Sequence, residues 1–256
     1  MSPPRNTGTP QLEEQAIWQQ VEFGSYEADL PLWRELSEAS KGPVLELGAG
    51  AGRVGLDLAE AGVEVIAVER DPGLAAQLER SAAERGVTIA VVVADLGAPA
   101  DLHLPSRPGL AIGPLHLIQE LDGAARLALL GRLAELMAPG AIIALTLVDE
   151  TTLLSSGAAA TQILPDMREL DGWVYSSEPL WVQVGDTMLT VRRLRERVSP
   201  DGQMERTVHD DRLHRISPDR LELEATDAGI RRAGRRRISS GPDEADSAVI
   251  LLEVPA

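Results

Sequence analysis

The chain has 256 residues, no cysteine, and a formal net charge of −16 from 40 acidic against 24 basic residues. The missing thiols exclude disulfides, thiolate metal sites, a cysteine nucleophile and iron–sulfur clusters. A surface this acidic repels phosphate backbones and disfavours nucleic-acid binding. Hydrophobic residues make up 44% and charged residues 25%, a globular composition. Four Trp, two Tyr and one Phe are the only large aromatics, so the core is expected to be aliphatic. Residues 1–150 hold 22 acids and 10 bases, which suits a cationic or neutral small ligand better than an anionic one. The single lysine, Lys41, leaves few options for Schiff-base chemistry.

In chain order, residues 1–11 carry prolines and small polar residues and read as a disordered tail. They lack the charged start and apolar run of a signal peptide. Helical spacing follows over 12–23 and 30–39, the second with Leu32, Trp33 and Leu36 on one face. A strand over 44–47 runs into Gly-Ala-Gly-Ala-Gly, and a helix carrying Val54, Leu56 and Leu58 stops at Gly62. The next strand is expected at 63–68. Asp71-Pro72 then starts a helix that ends at Gly86. Strands over 87–93, 110–112 and 141–148 and a helix over 126–137 complete a β-α alternation. Their near-continuous apolar character predicts a parallel, doubly wound sheet covered on both faces.

The pattern changes after residue 150. Antiparallel strands are expected over 173–184, 188–198 and 204–216, with turns at Gly185-Asp186 and Ser199-Pro200-Asp201-Gly202. A helix from Ser217 to Gly229 and strands over 230–238 and 247–254 close the chain. The expected organisation is N-terminal cap helices over 12–42, a ligand-binding core over 43–150, an insertion over 151–216 and a return to the core over 217–256. The longest apolar runs, such as AIIALTLV, fall far short of the ~20 residues that span a bilayer. A cytoplasmic protein without membrane contact is the expectation.

The stretch VLELGAGAGRVGLDLAEAGVEVIAVERD is the chemically informative one. It gives a strand, a glycine-rich turn, a helix, a second strand and a terminal acid. Gly48, Gly50 and Gly52 allow a sharp turn and let the backbone approach a ligand. In open α/β sheets that ligand sits beyond the carboxyl ends of the strands. A dinucleotide fingerprint would need glycine at position 53, which is Arg53. Glu46, just before the glycines, would repel a pyrophosphate and suits an ammonium. Glu69 ends the second strand, where an acid accepts hydrogen bonds from ribose hydroxyls.

In these features the sequence resembles the class I S-adenosylmethionine-dependent methyltransferases, from about Tyr26 to Leu147 and again over the last helix and two strands. ELGAGAG is similar to that family's first motif, VIAVERD to its second and VVVADL to its third. GLAIGPLHLIQEL resembles the segment that faces the transferred methyl, and MAPGAIIALTL the approach to strand five. The resemblance implies a seven-stranded Rossmann-like sheet, mostly parallel with an antiparallel last strand, plus an antiparallel insertion after strand five. It implies S-adenosylmethionine as cofactor, S-adenosylhomocysteine as product, no metal, and in-line methyl transfer to a small-molecule acceptor at N, O or carbon. Glu46, Gly48, Gly50, Gly52, Glu69, Arg70, Asp95, Leu96 and Gly113 are then the cofactor contacts, with Asp95 on the adenine amino group. Helices before the first strand close over the cofactor in similar enzymes, which makes Tyr26 a candidate both for cofactor contact and for catalysis. Gly113-Pro114-Leu115-His116 departs from [ND]-P-P-[YF], so planar amides and base amino groups are disfavoured as acceptors.

Blander readings stand beside these. Asp71 is explained as a helix cap, which leaves Glu69 for the ribose. For Asp95 the adenine contact is preferred and loop capping is the alternative; for Tyr26 and Trp33 the alternative is packing of an amphipathic helix on the sheet. His116 is the histidine on the segment expected to face the methyl and is the candidate base, with Gln119 and Glu120 nearby; a structural role is its alternative. The arginine clusters at 192–197 and 231–237 read as strand faces paired with acids rather than as an anion grip. The insertion is a candidate substrate lid or homodimer contact. The aromatics flank the core, with Trp18, Phe23, Tyr26 and Trp33 before it and Trp173, Tyr175 and Trp181 after it. They are expected either to wall the acceptor site or to pack minor cores. The runner-up function is a non-catalytic protein that retains the cofactor site, and a third is a nicotinamide oxidoreductase, against which Arg53 argues.

Overall fold

The computed structural model describes residues 11–151, 165–239 and 246–256. The expected disordered tail lies outside the described residues except at Gln11, which begins the first helix, α1 (Gln11–Phe23). Next come α2 (Leu30–Glu38), β1 (Val44–Leu47), α3 (Arg53–Glu60) and β2 (Val65–Glu69). They are followed by α4 (Pro72–Arg85), β3 (Ile89–Val93), β4 (Leu110–Gly113), α5 (Gly123–Leu136) and β5 (Ile142–Val148). After these come β6 (Asp166–Leu170), β7 (Trp173–Val184), β8 (Met188–Val198) and β9 (Met204–His214). A helix, here α6 (Pro218–Asp227), and strands β10 (Arg231–Ile238) and β11 (Ser247–Glu253) close the fold.

Seven strands form one sheet in the order β10-β11-β5-β4-β1-β2-β3. The neighbours from β5 to β3 are parallel, and β11 runs antiparallel to both β5 and β10. The expected mostly parallel sheet with an antiparallel last strand is thus what forms. Chain order reverses direction between β1 and β4, so the crevice at their carboxyl ends is the ligand position of an open α/β sheet. Alternation along β1 sends Leu45 and Leu47 to the layer of α5 and α6, and Val44 and Glu46 to the layer of α2 and α3. Side chains such as Leu45, Leu58, Ile112 and Leu133 are fully buried, each stabilising the fold by roughly 1.5–3 kcal/mol. Asp71 caps α4 by accepting from the Gly73 and Leu74 amides at 2.7 and 3.2 Å, as the Asp-Pro pair predicts.

The remaining strands make a separate antiparallel sheet, β6-β7-β8-β9. β6 is an element the sequence pattern misses, because Asp-Met-Arg-Glu-Leu offers little apolar alternation. Both expected turns form, with the Gly185 amide donating to the Met188 carbonyl at 2.8 Å and the Gly202 amide to the Ser199 carbonyl at 2.9 Å. α1 lies on this second sheet: Trp18 meets Tyr175 edge-on with ring centroids 5.5 Å apart, and Trp173 stacks on Tyr175 at 6.5 Å. Buried Glu22 accepts from Ser177 Oγ and from Arg195 Nε and Nη2, each at 2.7 Å. The two flanking aromatic segments therefore do meet, but chiefly as a small core of their own. Trp33 is fully buried beneath the main sheet.

Candidate active site

The glycine-rich turn after β1 carries positive φ at Gly48, Gly50 and Gly52, at 66°, 56° and 92°. A Cβ on Gly52 would come within 2.1 Å of Leu78 Cδ1, and one on Gly50 within 2.3 Å of Gln19 Oε1. The turn therefore has glycine for both conformation and space. Gln19, reaching down from α1, accepts from the Ala51 amide at 2.9 Å. A cleft of about 410 Å³ opens between this turn and the α1–α2 segment, lined among others by Phe23, Tyr26, Glu46, Gly48, Arg53 and Leu115. That volume falls in the usual range for small-ligand sites.

Glu46 is 2% exposed, and its Oε2 has no hydrogen-bond partner. Burial pushes its carboxyl up to about 8, against the opposing pulls of the nearby Arg53 guanidinium and the Gly55 amide, which lies near the carboxyl without making a well-formed hydrogen bond to Oε2. Gly55 on α3 makes room for it, since a Cβ there would lie 2.5 Å from Oε2. A buried carboxylate oxygen without a donor is costly, and here it borders a cleft where a cationic ligand group would supply the donor.

Arg53 does more than occupy the third glycine position. Its two terminal nitrogens bind Asp29 at 2.6 and 2.7 Å, Nη1 also donates to the Tyr26 carbonyl at 2.8 Å, and the guanidinium lies 5.2 Å from the Tyr26 ring centroid. Asp29 Oδ2 also accepts from Trp33 Nε1 at 2.8 Å. This network fixes the α1–α2 segment over the turn. Sequence reasoning missed Asp29, Gln19 and Glu22; the only local signal was Asp29 one residue before the Leu-Pro start of α2.

The other expected contacts occupy neighbouring strand ends. Buried Glu69 accepts from the Gly50 amide at 2.8 Å through Oε2 and from the Asp71 amide at 2.9 Å through Oε1. Each oxygen keeps a lone pair for a further donor. Arg70 is exposed beside it. Asp95 is exposed after β3 and accepts from the Gly97 amide at 2.8 Å through Oδ1, the loop-capping contact, with Oδ2 left for another donor. Leu96 is buried against the core. Gly113 ends β4, and its carbonyl accepts from Thr146 Oγ1 at 2.9 Å.

The structure brings Tyr26, Glu46 and Gly48 to one cleft and sets His116 apart from it. Leu115 and His116 both have positive φ, 50° and 62°. The His116 amide donates to Thr146 Oγ1 at 2.8 Å, and its ring Nε2 lies 2.8 Å from Ser247 Oγ on β11. Burial lowers the ring to about 4, which leaves it neutral and weakly basic. Gln119, 1% exposed, accepts from the Val148 amide at 2.7 Å and donates to the His214 carbonyl at 3.1 Å. It pins the end of β9 over the ends of β4 and β5.

The arginine clusters are ion-paired, as their alternation suggests. On β8, Arg192 binds Asp210, Arg193 binds Asp166, Arg195 binds Glu22 and Arg197 binds Glu205. On β10, Arg231, Arg232, Arg235, Arg236 and Arg237 bind Glu253, Glu222, Asp219, Glu35 and Asp246 in turn. Among the described residues no group of His, Asp and Glu is spaced to hold a metal ion, and no helix is long and apolar enough to cross a membrane.

Comparison with known proteins finds the same fold. A family model described as a methyltransferase domain matches residues 44–140. No curated protein matches the sequence significantly. Among solved structures, the CcbJ methyltransferase from Streptomyces caelestis is 22% identical, with 91% of this chain and 92% of that one covered and a TM-score of 0.66. The glycopeptide N-methyltransferase MtfA, complexed with S-adenosylhomocysteine, is 25% identical over 88% of this chain and 87% of its own, with a TM-score of 0.61. An amino pentose methyltransferase from Micromonospora echinaspora, bound to S-adenosylmethionine, is 13% identical over 95% of this chain and 96% of its own, with a TM-score of 0.68.

Proposed function

We propose that this chain, an S-adenosylmethionine-dependent methyltransferase, moves its methyl group onto an amine nitrogen of a small polar molecule. The unpartnered, buried Glu46 Oε2 beside the cleft carries the cofactor side of this reading. The cofactor's amino-acid ammonium supplies the donor it lacks, and the glycine turn leaves the backbone bare for close approach. Glu69 takes the ribose hydroxyls, Asp95 Oδ2 the adenine amino group, and Leu96 with Arg70 borders the ring. Gly48, Gly50, Gly52 and Gly113 line the path between them, and Tyr26 closes it from above. Among the described residues, 43–150 with 217–239 and 246–256 form the cofactor body, and 165–216 the acceptor side; the rest of the expected insertion, 152–164, lies outside the described residues.

When bound, S-adenosylmethionine supplies a methyl already activated by its sulfonium, so the protein's work is alignment and exclusion of water. The α1–α2 segment, tied down through Arg53 and Asp29, covers the turn and performs the second task. An amine acceptor is supported by the acidic first half of the chain and by two similar structures whose names specify a glycopeptide N-methyltransferase and an amino pentose methyltransferase. The weak basicity and Ser247 contact of His116 favour a role in shaping the turn after β4 over a role as base.

The test is transfer of tritiated methyl from S-adenosylmethionine to matched acceptor panels of amino sugars, their hydroxyl counterparts and amino-bearing glycopeptides. Label is expected in amines and absent from the hydroxyl partners. Labelling of hydroxyl compounds alone would overturn the amine assignment.

A further inference from the structure

The four histidines are placed very differently. His103 Nδ1 contacts the Asp101 carbonyl at 2.7 Å on an exposed loop. His116 is bound to Ser247. His214 lies where its charge acts on Asp122 of the core. Among the described residues, His209 is the histidine with a carboxylate at its ring, with Nε2 3.1 Å from Asp211 Oδ1, while its side chain remains 44% exposed.

Sheet register fixes which way this pair faces. His209 is opposite Arg193 and Thr207 is opposite Arg195, which is opposite Ser177 in turn. Directly opposed residues share a face, and alternation adds Asp211 to it. Arg195 and Ser177 hold Glu22 of α1, so this is the face turned toward α1 and the main sheet. Gln119 anchors the end of the same strand above β4 and β5. Asp211 consequently feels the charge of Glu22, and Glu120, just after β4, feels the charges of Asp211, Arg70 and Glu69. Asp211 thus lies near Glu120 beyond β4, and His209 lies two residues along on the same face, on the side where we place the acceptor.

We propose that His209 is the base that takes the proton from the acceptor amine, and that Asp211 is the positioning residue that holds its Nε2–H. Nδ1 is then the atom left to receive the proton. The inference rests on the amine reading above. An amine enters as ammonium; one N–H bond breaks and its proton passes to Nδ1. The freed nitrogen pair forms the C–N bond as the C–S bond breaks, leaving its electrons on sulfur. The imidazolium then releases its proton to water. The groups facing the pair are Arg193 and Arg195 on β8, Asp166 on β6, Glu22 on α1 and Glu120 after β4. Acids outnumber bases among them, which favours a cationic acceptor beside the pair.

The test needs no identified acceptor. The full chain is labelled with ¹⁵N in its imidazoles, and His209 is assigned by its loss in His209→Gln. Its titration is followed in complexes with S-adenosylhomocysteine and with sinefungin, which presents an ammonium where the transferable methyl would be. The expected result is an Nε2–H tautomer in both complexes. With sinefungin the titration midpoint is expected lower by roughly half a unit or more, as a cation a few ångströms away requires. Asp211→Asn should erase the tautomer preference. Identical midpoints in the two complexes, or an Nδ1–H tautomer, would overturn the proposal, and a preference that survives in Asp211→Asn would overturn the role of Asp211. Should Asp211→Asn fail to fold, the comparison of the two complexes of the unmodified chain decides alone. If neither compound binds, the cofactor reading falls and takes this inference with it; if both bind and His209 does not respond, only the inference falls.

Discussion

Glu46 is where one side chain's chemistry says most about the protein. The sequence places an acid before the glycines, and the structure adds that this acid is buried, unpartnered at Oε2 and shifted from 4.5 to about 8. A carboxyl raised in the folded state stabilises the fold fully below its unfolded value, and that contribution is lost as pH rises through the folded one. The ligand-free chain should therefore lose stability from about pH 4.5 to about pH 8. Glu46→Gln should flatten this part of the profile, measured as urea midpoint against pH. An unchanged slope would place the raised group elsewhere. His116 shows the opposite relation between sequence and structure. Its position on the segment after β4 was legible, but the direction of its ring was not, because Ser247 lies 131 residues away.

At the scale of elements, the strands and helices of the main sheet were legible because apolar runs, caps and glycine stops agree with one another. The edges shifted slightly, with β2 at 65–69 and β3 at 89–93. β6 escaped because it is polar, and the placement of α1 escaped because nothing local announces that Trp18, Gln19 and Glu22 meet three different partners. Gln19 reaches the glycine turn, and the Arg53–Asp29 pair ties the following segment to it. Asp29 is 1% exposed, so Asp29→Ala would strand a largely buried guanidinium. A destabilisation of about 3–5 kcal/mol is expected from breaking such a pair, read by chemical denaturation, together with weaker binding of S-adenosylhomocysteine. A loss below about 1 kcal/mol would mean that Arg53 finds another partner or water.

For the whole molecule, the fold was readable because a doubly wound sheet announces itself by period, and the proposed cofactor half because its residues lie close together in sequence. The proposed acceptor half was not, because it is assembled across the chain. α1, the segment after β4 and the face of β9 converge only through contacts such as Glu22–Arg195 and Gln119–His214. The low aromatic content takes on a spatial meaning: Trp18, Trp173 and Tyr175 join α1 to the second sheet, while Phe23 and Tyr26 border the cleft. The central claim is that Glu46 holds the cofactor's ammonium, and calorimetry tests it most directly. S-adenosylhomocysteine and 5′-methylthioadenosine, which lacks the amino-acid portion, are titrated into the unmodified chain and into Glu46→Gln. S-adenosylhomocysteine should lose roughly ten- to hundredfold in affinity, the worth of one charged hydrogen bond, while 5′-methylthioadenosine binds both proteins alike. Equal losses for the two compounds, or no loss for either, would contradict the assignment.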